Sequence, residues 1–126
     1  MSNRKKFVEQ RKHKRFRVPK GLFAALSPSY TKVGSVVDMS MKGLAFRYMD
    51  RGKPSNGAYM DIFTNTGDFH LRDVPLKTIS DFACDGISFS SIKMRQCAVQ
   101  FRDLTSYQKG QLEYCLKKHT SGEEKV

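Results

Sequence analysis

Between Gly21 and Phe101 the apolar residues fall into short runs, each closed by turn formers. Leu22-Phe23-Ala24-Ala25-Leu26 is stopped by Ser27-Pro28-Ser29, and Val33-Gly34-Ser35-Val36-Val37 by a polar segment. In Leu44-Ala45-Phe46-Arg47-Tyr48 the residues Leu44, Phe46 and Tyr48 recur at period two, so they share one face of a strand. Asp50-Arg51-Gly52-Lys53-Pro54-Ser55-Asn56-Gly57 reads as a loop from its turn residues. Tyr59–Phe63 and Val74–Ile79 are weaker strand candidates, and Pro75 suggests an edge or a strand start. Further on, Ile92 and Met94 keep one phase while Cys97, Val99 and Phe101 keep the other, which predicts a bulge inside the last strand. Strands so short and so regularly punctuated predict a small barrel or sandwich, since closure removes exposed edges.

The pattern changes near the end of the chain. Thr105-Ser106-Tyr107-Gln108 has the form of a capping box, with Thr105 as N-cap and Gln108 reaching back to it. Leu112, Cys115 and Leu116 follow at helical spacing, and Lys117, Lys118 and His119 complement a helix C-terminus. Gly110 inside it costs about 1 kcal/mol relative to Ala. These residues predict one helix over 105–119 with its apolar stripe on the barrel, then a polar tail over 120–126. At the other end, residues 1–10 read as a flexible arm and Arg11 to Pro19 as an extended basic connector, Pro19 biasing Val18 away from helix.

With 126 residues the chain fits one domain. No apolar run approaches the 18 or so residues of a membrane span. Met1-Ser2-Asn3-Arg4-Lys5-Lys6 is basic with no apolar segment behind it, unlike a secretory signal, so the cytoplasm is the expected location. Cys84, Cys97 and Cys115 match no zinc spacing and are expected to be reduced, mostly buried thiols. His13, His70 and His119 are scattered, so no metal site and no cofactor are expected. Charge is the compositional anomaly. The net charge is +11, and residues 1–20 hold nine Lys or Arg against the single acid Glu9, so +8 of it lies there. A block of like charge with few apolar residues awaits an anion or serves as a solvated tail.

Two motifs give that charge a chemistry. Arg11 and Arg15 form RxxxR, and 23 residues after Arg15 comes Asp38-Met39-Ser40-Met41-Lys42-Gly43, of the form DxSxxG. A guanidinium bonds a phosphate or the O6/N7 edge of guanine bidentately and stacks on a base. A carboxylate accepts from guanine N1–H and N2–H₂, a hydroxyl donates or accepts, and glycine permits a special backbone conformation or a close ligand approach. Asp, Ser and Gly also make ordinary β-turns, in which Asp38 and Ser40 bond only local backbone.

In this order and at this distance the two motifs resemble the signature of the PilZ domain, the bacterial receptor for cyclic di-GMP. The resemblance extends over about residues 9 to 118. Val33 to Tyr48 looks like the family's central hairpin with DxSxxG at its turn, and Arg95-Gln96-Cys97-Ala98-Val99-Gln100-Phe101-Arg102-Asp103-Leu104 like its last barrel strand and the approach to its helix. The fold this implies is mainly β: a six-stranded antiparallel β-barrel over 11–119 with a C-terminal α-helix and a flexible basic N-terminal arm. The implied site is Arg11 and Arg15 on the phosphates and guanine edges, Asp38 and Ser40 on a guanine, and Gly43 keeping the turn open to it. Ala98 stands where many members have glycine, and Gln10 where many carry a further arginine, which tilts the expected stoichiometry toward one nucleotide. The implied mechanism is a switch: the arm folds over the barrel on binding, and an unidentified effector protein reads the change.

Catalysis lacks a motif. Asp61, Asp68, Asp73 and Asp81 are scattered, and neither GxSxG nor HExxH is present. Two binding alternatives stand beside the receptor reading. One is a PilZ fold that acts as an adaptor without nucleotide. The other is a small basic barrel that holds nucleic acid, which the placement of charge in one arm rather than along the strands disfavours.

Overall fold

The computed structural model describes residues 16–17 (backbone only), 21–27, 30, 32–50, 58–84 and 93–118. Among these residues seven strands and one helix follow in chain order: β1 (Phe16–Arg17), β2 (Leu22–Ser27), β3 (Val33–Met39), β4 (Gly43–Met49), β5 (Tyr59–Thr64), β6 (His70–Ala83), β7 (Met94–Phe101) and α1 (Ser106–Lys118). Every pairing is antiparallel. The order β3-β2-β5-β6-β7-β4, with β4 paired back to β3, closes six strands into a barrel, and β1 adds to the edge of β3. The six-stranded barrel with a C-terminal helix is therefore the architecture that the family resemblance implied.

Alternation builds the interior. Leu44, Phe46 and Tyr48 of β4 point inward together, as their spacing required, and meet Leu22, Leu26, Met60, Ile62, Val74, Cys97 and Val99 in one cluster. Gly34 is dictated by the wall itself: a Cβ there would lie 1.6 Å from the Arg47 carbonyl oxygen on β4. The capping box forms as expected, Gln108 N donating to Thr105 Oγ1 and Thr105 N to Gln108 Oε1, both at 3.0 Å. Leu112, Cys115 and Leu116 of α1 close the turn end of the barrel. Phe69 and Tyr114 stack at a centroid distance of 6.4 Å. Burial pushes the Cys97 thiol up to about 11 and the Cys115 thiol up to about 12, while Cys84 is half-buried; all three are free thiols.

Two strand expectations need correction. The bulge is not in β7, which pairs with β4 without interruption from Met94 to Gln100. It lies in β6 at Ile79, between Thr78↔Val99 and Ser80↔Ala98. The inward phase of Cys97, Val99 and Phe101 continues to Arg95, whose charge Asp81 satisfies at 2.8 Å, and Met94 stays in the opposite phase. Pro75 is likewise neither at an edge nor at a strand start. It sits inside the 14-residue β6, where the strand leaves β5 (Tyr59↔Pro75) and takes up β7 (Leu76↔Phe101). A missing N–H is tolerated at that changeover because the bond to the β5 side comes from Leu76 N to Ala58 O. On the other side Pro75 faces Arg102, one residue past the end of β7, whose N donates to the Pro75 carbonyl at 2.9 Å.

Candidate functional site

The DxSxxG motif forms the β3–β4 hairpin and its three-residue turn. An extra residue, Val37, is inserted between the pairs Val36↔Phe46 and Asp38↔Ala45. This bulge keeps Val36 and Met39 in the core and sends half-buried Asp38 outward between them. Ser40 is 4 % exposed. Its N–H donates to Gly43 O at 2.8 Å, and its Oγ accepts from Lys42 N at 3.0 Å. That bond occupies one lone pair of the hydroxyl, which retains a proton to donate. At Gly43 a Cβ would stand 2.0 Å from Val99 O and 3.1 Å from Gln100 Cα, so glycine is a requirement of the barrel wall.

Cross-strand register turns these positions into a surface. Asp38, Ala45, Ala98 and Ser80 form one row on the outer face, each paired to the next across β3, β4, β7 and β6. The neighbouring row, about 7 Å along the strands, is Ser35, Arg47, Gln96 and Phe82. Two methyl side chains at the centre, half-buried Ala98 and Ala45, only 2 % exposed, make a low shelf that is covered at Ala45. Asp38 supplies an acceptor on one side. Arg47 supplies a guanidinium in the next row, its Nε donating to Gln96 Oε1 at 3.0 Å. An acceptor, a guanidinium and an amide lie around it, groups of the kind that can bond a base edge or a phosphate.

Arg11 and Arg15 lie outside the described residues, as do Gln10, the 1–10 arm, the 51–57 part of the loop, Ile92 and the 120–126 tail. β1 does bear on them. Phe16 pairs with Met39 and Arg17 with Asp38, so the residue that follows Arg15 in the chain is hydrogen-bonded to the DxSxxG strand. The structure thus brings Asp38, Ser40 and Gly43 to one end of one face and anchors the chain just after RxxxR beside them. Arg47 and Gln96 were not among the expected site residues. The alternation around Phe46 and Tyr48 already places Arg47 outward, but only the β4–β7 register reveals Gln96 as its partner.

The far end of the barrel holds a second polar cluster. Asp81 accepts from Tyr48 Oη at 2.6 Å, Arg95 Nε at 2.8 Å and Lys32 Nζ at 2.9 Å. Burial alone would raise the Asp81 pKa, but those three donors together hold it below its ordinary value. Burial, then the bond to Asp81, holds the Tyr48 phenol far above its usual range. Every member of this cluster is satisfied from within, which marks it as a structural plug. Among the described residues no group of His, Cys, Asp and Glu is arranged to hold a metal ion. Among them, too, no helix is long and apolar enough to cross a membrane.

No family model matches the chain, and no curated protein matches it. Solved structures do. The PilZ domain of YcgR from Escherichia coli, with c-di-GMP, superposes with a TM-score of 0.64 at 15 % identity over 87 % of this chain and 91 % of that one. YcgR from Escherichia coli in complex with c-di-GMP gives 0.60 at 14 %, covering 86 % of this chain and 45 % of that one. MrkH, described as a c-di-GMP-dependent transcription regulatory factor, gives 0.50 at 16 %, covering 85 % and 49 %. The chain therefore has the PilZ-domain fold, at sequence identities that carry fold alone.

Proposed function

We propose that this PilZ-fold chain is a receptor for cyclic di-GMP, taking the dinucleotide on the outer face of β3, β4 and β7. The observation that carries the reading is the pairing of Phe16–Arg17, the two residues that follow RxxxR in the chain, with Met39–Asp38 of the DxSxxG strand. Arg11 and Arg15 then bind phosphate and guanine Hoogsteen edges, and Asp38 and the Ser40 hydroxyl bond a guanine Watson–Crick edge. Arg47 adds a guanidinium at the second row of the shelf. Further support comes from the superposable YcgR domain, whose structure contains c-di-GMP.

In this reading the protein catalyses nothing and works in the cytoplasm as an adaptor. Ligand neutralises the basic arm and changes its position, and an effector protein responds. Ordering the arm on binding draws on the interaction energy, so affinity reflects both.

Calorimetric titration of cyclic di-GMP tests this, with GTP and a short single-stranded oligonucleotide as controls. Saturable binding of one dinucleotide per chain is expected. The Arg11→Ala/Arg15→Ala double variant is expected to lose about a hundredfold or more, since each removes a charged hydrogen bond worth about 1.5–3 kcal/mol. Arg47→Ala is expected to lose about tenfold. A small dianion gives a shallow salt dependence, a tracked polyanion a steep one. No heat at two temperatures would end the receptor reading and leave the nucleotide-free adaptor. Preferential, steeply salt-dependent oligonucleotide binding would favour the nucleic-acid barrel.

A further inference from the structure

The β3–β4 turn has a second side. Met41, Lys42, Phe101, Asp103, Leu104 and Lys109 line a concavity of about 500 Å³ where the turn meets the segment leading into α1. Phe101 N donates to Lys42 O at 2.7 Å, which fixes the turn against the end of β7. The floor is apolar. Phe101 belongs to the core, while half-buried Met41 and Leu104 pack against it and keep part of their surface outside.

The rim is charged. Lys42 and Lys109 are exposed on it together with Asp103, whose φ of 46° turns the chain from β7 toward the helix. Two cations thus face one anion. α1 begins here with no acidic residue in its first turn, so its positive end is uncompensated from within.

We infer that this groove docks an acidic amphipathic segment of a partner protein. Apolar side chains of the segment enter between Met41, Phe101 and Leu104, where methionine adapts its shape to the occupant. Its carboxylates meet Lys42 and Lys109 at the rim, which sets orientation and speeds encounter. A free anion would have no use for the apolar floor.

The groove and the dinucleotide face share one three-residue turn. Met41 and Lys42 lie between Ser40 and Gly43, so a ligand drawing on Asp38 and Ser40 acts on the segment that the partner touches. This coupling rests on the proposed receptor function, whereas the docking does not.

The test is a titration of the isotope-labelled full chain, followed by backbone and methyl NMR. The probe is a synthetic amphipathic helical peptide of leucine, alanine and glutamate. Saturable shifts at Met41, Lys42, Leu104 and Lys109 are expected, with affinity falling about tenfold or more in Lys42→Glu/Lys109→Glu. Both lysines are exposed, and the variant's own spectrum reports its fold. The proposal is overturned by absent saturation, by shifts confined to the Asp38–Arg47 face, or by equal affinity in the charge-reversed variant. Equally tight binding of polyglutamate or of an oligonucleotide overturns it too, because neither uses the apolar floor. Cyclic di-GMP added to the same sample reads the receptor function separately, at Asp38 and Arg47.

Discussion

At Gly43 the backbone of β4 approaches β7 so closely that a single methyl group has no room, since Val99 O occupies its place. Overpacking against backbone is relieved only by moving a strand, at a cost of about 1–3 kcal/mol. Gly43→Ala is therefore expected to lower stability by about 2 kcal/mol, read as a fall in urea midpoint at unchanged m-value. A denaturation curve equal to wild type would show that the wall is looser than its register implies. The motif singled out Gly43 but could not supply this reason, because the clashing carbonyl lies on a strand distant in sequence. Ser40 makes the same point, since its hydroxyl serves the turn through Lys42 N and also remains a donor. Pro75 reverses it: the local rule pointed to an edge, while the handover from β5 to β7 creates an interior position that needs no N–H.

Among the elements, α1 was the most legible, because all its signals are local. Thr105 and Gln108 are three residues apart and bond each other as their types and spacing require. Gln108 has a second task that no local pattern encodes: its Nε2 donates to Asp73 O at 3.1 Å. Asp73 belongs to a bulge of β6, opposite Asp61, with a left-handed φ of 55°, and its N–H donates to Asp61 Oδ1 at 3.1 Å. The helix start is thus fastened to an irregularity in the barrel wall. Thr105→Ala removes one cap and is expected to cost about 1 kcal/mol. Gln108→Ala leaves both Thr105 N and Asp73 O without their partner and is expected to cost more, about 2–3 kcal/mol. Urea unfolding of both variants checks the order; equal losses would mean that the link to Asp73 contributes nothing.

On the scale of the whole molecule, the two ends of the barrel divide the work. One end carries the hairpin turn and the helix, and the outer shelf runs from it along β4 and β7. The other is closed by Asp81 with Lys32, Tyr48 and Arg95, drawn from four separated stretches of chain. Because the folded pKa of Asp81 lies below its ordinary value of 3.8, its contribution to stability is present above about pH 4 and is lost as pH falls through the lowered value. The stability difference between wild type and Asp81→Asn is therefore expected to be positive at neutral pH and to collapse in acid. Urea midpoints measured from neutral pH down to about pH 2 test the sign, and a difference independent of pH would remove Asp81 from that role.

The sequence by itself determined whatever depends on near neighbours. It set the short alternating strands, the helix with its reciprocal cap, the burial of Cys97 and Cys115, and the hairpin bearing Asp38, Ser40 and Gly43. Such features follow from side-chain periodicity and from hydrogen bonds spanning a few residues. Tertiary structure alone decided which strands adjoin. Closure set Ala45 beside Ala98 and Arg47 beside Gln96, brought Met41 and Lys42 into one groove with Leu104 and Lys109, and moved the bulge from β7 to Ile79 of β6. Register is a property of pairs of strands. A residue's partner across the barrel is chosen by how all six hydrophobic faces fill one interior, and no single stretch of the chain contains that information.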